Sequence, residues 1–96
     1  MPVICIATLR ALPGQENTLA QLLSDIRDHA QREEGCLRYE VGRKGSEFVC
    51  AEVYRDSKAV EQHAEENEGV KALVAALQAG GVVDGSPSIV GPFEQY

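Results

Sequence analysis

Residues 34–57 read EGCLRYEVGRKGSEFVCAEVYRDS, and this stretch decides the fold. Its pattern is turn, strand, turn, strand and turn, and residues 44–46 (KGS) are typical of a hairpin turn. We predict one strand over 36–43 and its partner over 47–54. Both strands carry Tyr, Glu or Cys where a purely structural strand carries Val, Ile or Thr. Polar and aromatic groups on a sheet face need a pocket or a partner surface, so we expect a site here.

The sequence before this hairpin predicts a strand and a long helix. Residues 2–9 (PVICIATL) are β-branched and apolar on both faces, which predicts a strand buried on two sides. Residues 16–33 predict an amphipathic helix, because their apolar residues recur with a 3.6-residue period. The apolar stripe consists of Leu19, Leu22, Leu23, Ile26 and Ala30. We expect Gly35 to end this helix in a left-handed conformation.

Two further helices and a last strand are predicted after the hairpin. Asp56 or Ser57 caps the first of these helices, because their side-chain oxygens can accept from free N–H groups. The inner face of this helix consists of Ala59, Val60, His63 and Ala64. Residues 65–69 are polar and predict a loop before the third helix. The tail, 82–96, predicts a strand at an edge or with a break, because Pro92 cannot donate to a central ladder.

These elements give the order β-α-β-β-α(α)-β, the ferredoxin-like α+β arrangement of an antiparallel four-stranded sheet with helices on one face. Side chains alternate between the two faces of each strand. On the first hairpin strand, the residues predicted to share one face are Leu37, Tyr39 and Val41. On the second, one face is predicted to carry Phe48, Cys50, Glu52 and Tyr54, and the opposite face Val49, Ala51 and Val53. We expect the small aliphatic face to pack under the helices. A second subunit then covers the aromatic face, and two sheets close into a dimeric α+β barrel around a cavity.

Composition and charge restrict the partners of the chain. Its 96 residues predict one domain, 1–96, and nine basic against fifteen acidic side chains leave a net charge of −6. An acidic surface repels phosphate groups, so we expect no nucleic-acid or membrane partner. The absence of a bilayer-spanning apolar run and of a secretory signal favours the cytoplasm. The wide spacing of Cys5, Cys36 and Cys50 predicts reduced thiols, without disulfides or a bound metal.

Four segments together resemble the antibiotic biosynthesis monooxygenase superfamily, a group of small dimeric α+β barrel proteins that includes quinol monooxygenases. They are residues 13–14 (PG) before the first helix, 34–39 (EGCLRY), 52–56 (EVYRD) and 59–63 (AVEQH). The resemblance covers nearly the whole chain, and its specificity lies in the combination. It implies a homodimer with a pocket between the sheet and the helices of each subunit. It also implies, as in some members, oxidation of phenolic or quinol substrates by O2 with no metal, flavin or haem cofactor.

Related proteins of this fold have other roles, including haem degradation and isomerisation of a phosphorylated signalling sugar, and a fold does not determine a function. Haem-degrading relatives use a Trp, an Asn near the first strand and a His in the later helix. This chain has no Trp, and Tyr54 stands where many relatives have Trp. Its first strand has no Asn, and its third helix carries Leu73, Val74 and Leu77. Haem degradation is therefore disfavoured.

His63 and Glu52 are the candidate catalytic residues. An imidazole titrates near neutral pH, so His63 can take a phenolic or enolic proton. The alternative is a structural histidine bonded to the backbone or to a carboxylate. Glu52 can orient His63 or act as a base, with its pKa raised by burial. The alternative for Glu52 is an ion pair with Arg38 or Arg55.

Four more side chains are candidate substrate contacts. Tyr39 and Tyr54 can stack on an aromatic substrate or donate a hydrogen bond to a carbonyl. Phe48 and Cys50 share the strand face of Tyr54 and complete the set. Core packing is the alternative for each of these side chains.

Three functions remain open at this point. The leading hypothesis is a cofactor-independent monooxygenase acting on a small aromatic or quinol-like substrate, with His63 as proton acceptor and Glu52 assisting. The first alternative is an isomerase or other proton-shuttling enzyme acting on a small carbonyl compound. The second alternative is a non-catalytic dimer that binds a small molecule.

Overall fold

The computed structural model describes residues 1–96 and confirms the predicted ferredoxin-like α+β fold. Its elements are β1 Val3–Arg10, α1 Glu16–Ala30, β2 Cys36–Lys44, β3 Glu47–Tyr54, α2 Ser57–Glu66, α3 Glu68–Ala79 and β4 Ser88–Glu94. The four strands form one sheet in the order β2-β3-β1-β4, and all neighbouring strands are antiparallel. None of the helices combines the length and the apolar character needed to cross a membrane.

The β2–β3 hairpin has the predicted turn but one unpredicted irregularity. Gly45 adopts a φ of +63° in the two-residue connection between the strands, a conformation that glycine takes without steric cost. The pairing of β2 with β3 shifts between Cys36 and Arg38. This bulge turns Leu37 outward, with 56% of its surface exposed, and places Cys36 on the face of Tyr39. The prediction that Leu37 and Tyr39 share a face is therefore wrong.

The two faces of β3 are reversed relative to the prediction. Phe48, Cys50, Glu52 and Tyr54 are all buried beneath the helices of their own chain. The small residues Val49, Ala51 and Val53 lie on the other face. A layer between helices and sheet must be filled to high density, and large side chains fill it better than Val and Ala. A second subunit is therefore not needed to shield the aromatic face.

Strand β1 is buried on only one side within this chain, whereas its sequence predicts burial on two sides. Its helix-facing residues are Val3, Cys5, Ala7 and Leu9, all buried. Its other residues pair with β3 and β4 to form an apolar surface that no helix covers. We call this surface the open sheet face; it comprises Ile4, Ile6, Val49, Ala51, Val53, Val90 and Phe93. Strand β4 lies at the edge beside β1, as predicted.

Helix α1 buries the predicted stripe except Leu22, which is half-buried, and it ends earlier than predicted, at Ala30. Gly35 does not have a positive φ, so the prediction that it ends the helix in a left-handed conformation is wrong. Its requirement for glycine has another cause. A Cβ atom at Gly35 would lie 2.5 Å from the Cβ atom of Ala59, which means that the turn before β2 packs directly on α2.

Helices α2 and α3 meet at a single residue, so the predicted loop over 65–69 is wrong. Asp56 caps α2 by accepting from the Ala59 N–H at 2.9 Å. The chain leaves helical geometry only at Asn67, whose side chain accepts from the Val70 N–H at 3.0 Å and caps α3. Asn is among the preferred N-cap residues, and here one buried Asn replaces a loop.

Candidate active site

His63 is the centre of a buried polar cluster between the sheet and the helices. The helical spacing of α2 places it beside Ala59 on the inner face, and only 7% of its surface is exposed. Its Nδ1 atom lies 3.0 Å from each carboxylate oxygen of Glu33. The other ring nitrogen, Nε2, makes no hydrogen bond, and because no fully buried polar side-chain atom lacks a partner, Nε2 is not completely enclosed.

Glu33 was not among the residues predicted for the site. It lies in the turn between α1 and β2, and its side chain is 25% exposed. Asn67 donates from Nδ2 to Glu33 Oε2 at 2.6 Å and to the Ile26 carbonyl oxygen at 3.3 Å. The cap of α3 therefore fixes the carboxylate that binds His63. No sequence signal joins Glu33 to a histidine thirty positions further along the chain.

Glu52 and Tyr54 form the second buried pair of the cluster. The Tyr54 hydroxyl donates to Glu52 Oε1 at 2.5 Å, and the two residues are 0% and 8% exposed. The alternative ion pairs of Glu52 do not form, because Arg38 pairs with Glu40 and Arg55 lies near Glu34. Glu52 makes no hydrogen bond to His63, so the carboxylate that orients the imidazole in this structure is Glu33.

Burial sets the protonation of the groups around His63. It raises the pKa of the Glu52 carboxyl, although the Tyr54 hydrogen bond and the nearby His63 charge oppose that rise. Burial also raises the pKa of the Tyr39 and Tyr54 hydroxyls, and the Glu52 charge raises both further. Both tyrosines therefore keep their protons at neutral pH and can donate hydrogen bonds.

The rings of Tyr39 and Tyr54 both pack against the His63 ring. Their centroids lie 5.4 Å and 5.3 Å from the imidazole centroid, with interplanar angles of 35° and 55°. These are ordinary distances for tilted aromatic pairs, which hold the ring in one orientation. Tyr39 is half-buried, so the cluster reaches the surface on its side.

Cys50 and Phe48 extend from this cluster along β3. The Cys50 thiol is buried, and burial raises its pKa to about 11. A thiol with this pKa stays protonated and does not act as a nucleophile at neutral pH. Phe48 lies in the core four residues from Glu52, roughly 13 Å along the strand. The structure thus brings His63, Glu52, Tyr39 and Tyr54 together in one cluster. Cys50 lies next to this cluster, and Phe48 lies apart from it.

Two surface depressions lie outside the centre of the cluster. The larger, with a volume of about 650 Å³, lies at the hairpin end of the sheet and includes Phe48. Its arginines already bond to protein groups: Arg10 to Glu47, and Arg43 to the Gly45 carbonyl oxygen. The smaller, of about 380 Å³, is lined by Glu33 and opens beside α2. No group of three or more His, Cys, Asp or Glu side chains is placed to hold a metal ion.

Comparisons with known proteins agree with this fold. The family model for antibiotic biosynthesis monooxygenase matches residues 2–76. A solved structure from Pseudomonas aeruginosa superposes with a TM-score of 0.84 at 24% identity, covering 99% of this chain and 95% of the other. One from Deinococcus radiodurans, assigned to the same family, has a TM-score of 0.78 at 28% identity, covering 98% and 95%. No curated protein sequence is significantly similar to this chain. The chain belongs to the antibiotic biosynthesis monooxygenase family.

Proposed function

We propose that this protein is a cofactor-independent monooxygenase that acts on a small aromatic, quinol-like substrate, with His63 accepting the phenolic proton. The observation that carries the proposal is the state of the imidazole. One nitrogen is bound by Glu33, the other makes no hydrogen bond within the chain, and two tyrosine rings pack against the imidazole. Membership in the antibiotic biosynthesis monooxygenase family supports the same reaction class.

The chemistry begins with proton removal. The phenolic O–H bond breaks, the proton moves to His63 Nε2, and the resulting ring anion is electron-rich. The anion transfers one electron to O2, and the two radicals combine to form a C–O bond at a ring carbon that carries hydrogen. Loss of that hydrogen and cleavage of the O–O bond leave a carbonyl on the ring and release the second oxygen atom as water. The protein's task is to position the substrate and to hold the proton.

The surrounding residues have separate roles in this proposal. Tyr39 is the half-buried member of the cluster, so a flat substrate enters beside it and stacks on its ring. Tyr54 keeps Glu52 in place through its hydroxyl. Glu52, whose pKa burial raises, is suited to carry a proton and to return it to the oxygen intermediate.

We propose further that the single domain, 1–96, works as a homodimer in which a second copy covers the open sheet face. Ile6, Val49, Val90 and Phe93 are each more than a third exposed on that face. A contiguous apolar surface of this kind is unusual for a monomer and is typical of an interface. The dimer would thus use the aliphatic side of the sheet, while each subunit encloses its own aromatic cluster.

Isotope labelling tests the reaction. The protein is supplied with a naphthoquinol in buffer equilibrated with ¹⁸O₂, and the products are analysed by mass spectrometry. The proposal predicts quinol consumption well above the buffer rate, with one labelled oxygen in the product and one in water. Consumption at the buffer rate, or a product without label, overturns it.

A proton-shuttling isomerase acting on a small carbonyl compound is the second candidate. It is favoured by the coexistence of two proton carriers, Glu52 and His63, in one buried cluster. Such an enzyme needs no O2, so turnover that persists in an anaerobic chamber identifies it. Thermal unfolding with and without a small molecule measures whether that molecule stabilises the protein. If it does, and no turnover occurs in air or without O2, the protein is a binding protein instead.

A further inference from the structure

We propose that Glu33 is the positioning residue of the site: its carboxylate holds the Nδ1–H of His63 and leaves Nε2 as the basic atom. The inference rests on the proposed function where it concerns catalysis. The geometry on which it depends can be tested without any substrate.

The direction of the hydrogen bond follows from the chemistry of the two groups. Both carboxylate oxygens of Glu33 lie 3.0 Å from Nδ1 of His63. An ionised carboxylate only accepts hydrogen bonds, so Nδ1 must carry the hydrogen. A neutral imidazole with hydrogen on Nδ1 has its lone pair on Nε2. The contact with Glu33 therefore selects the tautomer that a proton acceptor at Nε2 requires.

The carboxylate of Glu33 is itself fixed. Asn67 donates to its Oε2 atom at 2.6 Å and also binds the Ile26 carbonyl oxygen at the end of α1. Because the same Asn67 caps α3, a shift of Glu33 would break its bond to a side chain that the helix junction holds in place. Glu34 offers the contrast. Its side chain is 94% exposed and its nearest cation, Arg55, is 3.9 Å away.

The pair also stabilises the charge that forms during proton transfer. When the substrate O–H bond breaks and the Nε2–H bond forms, the imidazole becomes a cation beside the Glu33 carboxylate. Glu33 lines the depression beside α2, so water reaches it and its charge does not require a buried counter-ion. The titratable groups that face the ring are Glu33 from the turn, Tyr39 from β2, and Glu52 and Tyr54 from β3.

Nitrogen NMR of ¹⁵N-histidine-labelled protein tests the geometry directly. In the wild type above neutral pH, we expect the His63 signals to show hydrogen on Nδ1 and none on Nε2. In Glu33→Ala, we expect the signals to move toward the Nε2–H form, whereas Glu34→Ala retains the wild-type pattern. A wild-type ring with hydrogen on Nε2 overturns the proposal, and so does a Glu33→Ala spectrum identical to the wild type. These outcomes do not depend on whether a quinol is consumed.

Kinetics test the consequence for catalysis. Glu33→Gln keeps the size of the side chain and removes its charge, so we expect kcat to fall by about 10- to 100-fold, the loss typical of residues that orient a metal-ligating histidine. We expect KM to change by less than about threefold, because Glu33 does not touch the substrate. Glu34→Gln serves as the control, and equal behaviour of the two variants overturns the proposal.

Discussion

Replacing Tyr54 with Phe removes one oxygen atom from the core and leaves Glu52 without its hydrogen bond. The Tyr54 hydroxyl is the only hydrogen-bond partner of the Glu52 side chain, and Glu52 is 8% exposed. A buried charged acceptor left without a donor costs about 2–3 kcal/mol of unfolding free energy, and a neutral one about 1 kcal/mol. Tyr54→Phe is therefore expected to destabilise the protein by about 2–3 kcal/mol at a pH where Glu52 is ionised.

The size of this loss depends on pH. Burial raises the pKa of Glu52 above its ordinary value of 4.5, so the folded chain holds a proton that the unfolded chain has released. The stability linked to the neutral carboxyl is fully present below about pH 4.5 and is lost as the pH rises through the folded-state pKa. Tyr54→Phe raises that pKa further, because it removes the bond that favours the ionised form. Its destabilisation is therefore small in acid and grows toward alkaline pH.

Urea unfolding followed by circular dichroism, at one fixed protein concentration and at several values between pH 4 and 9, measures this effect. Tyr96→Phe is the matched control, because Tyr96 is fully exposed at the end of the chain and should cost nothing at any pH. Thermal unfolding near pH 8 should show a decrease of roughly 8–24 °C for Tyr54→Phe, at ~4–8 °C per kcal/mol for a chain of this size. A destabilisation that is the same at all pH values would refute the interpretation of Glu52 as a buried carboxylate dependent on Tyr54.

Three further predictions follow from the packing. Gly35→Ala should lower the free energy of unfolding by about 1–3 kcal/mol, because its Cβ atom is forced against Ala59, and Ala59→Gly in the same chain should recover part of that loss. Effects of the two substitutions that simply add in urea unfolding would contradict the close contact. Asn67→Ala should cost about 2–4 kcal/mol, because the α3 cap is lost together with the bonds to the Ile26 carbonyl oxygen and to Glu33. A loss below about 1 kcal/mol in urea unfolding would contradict this. Ile6→Lys should yield a folded monomer in sedimentation while Val74→Lys, on the exposed side of α3, leaves a dimer; a dimer with Ile6→Lys would disprove the proposed interface.

Elements with a strong periodic pattern could be predicted from the sequence. The stripe of α1 and the Gly-containing turn of the hairpin were correctly located, because each depends on residues close together in the chain. The orientation of β3 could not be predicted in the same way. Alternation identifies two sets of side chains but does not say which set faces the helices. The choice depends on the volume available between the layers, and the aromatic set containing Tyr54 fills it.

In the candidate site, too, local patterns could be predicted from the sequence and tertiary contacts could not. Helical spacing placed His63 on the inner face of α2, and the strand pattern placed Glu52 and Tyr54 together. The contact of His63 with Glu33 was missed, because it joins a turn to a helix across thirty positions. Asn67 was missed for a related reason: its cap replaced the loop that its polar neighbours suggested. Contacts of this kind depend on tertiary structure rather than on local pattern.

The comparison of His63→Ala with His29→Ala tests the central claim most directly. The chain has two histidines, and His29 lies on α1 with its Nδ1 atom 2.8 Å from the Asp25 carbonyl oxygen. If His63 is the proton acceptor, its removal lowers kcat/KM for quinol oxidation in air by at least about 100-fold, the usual contribution of a general base, while His29→Ala retains the wild-type rate. Equal rates for the two folded variants would contradict the account.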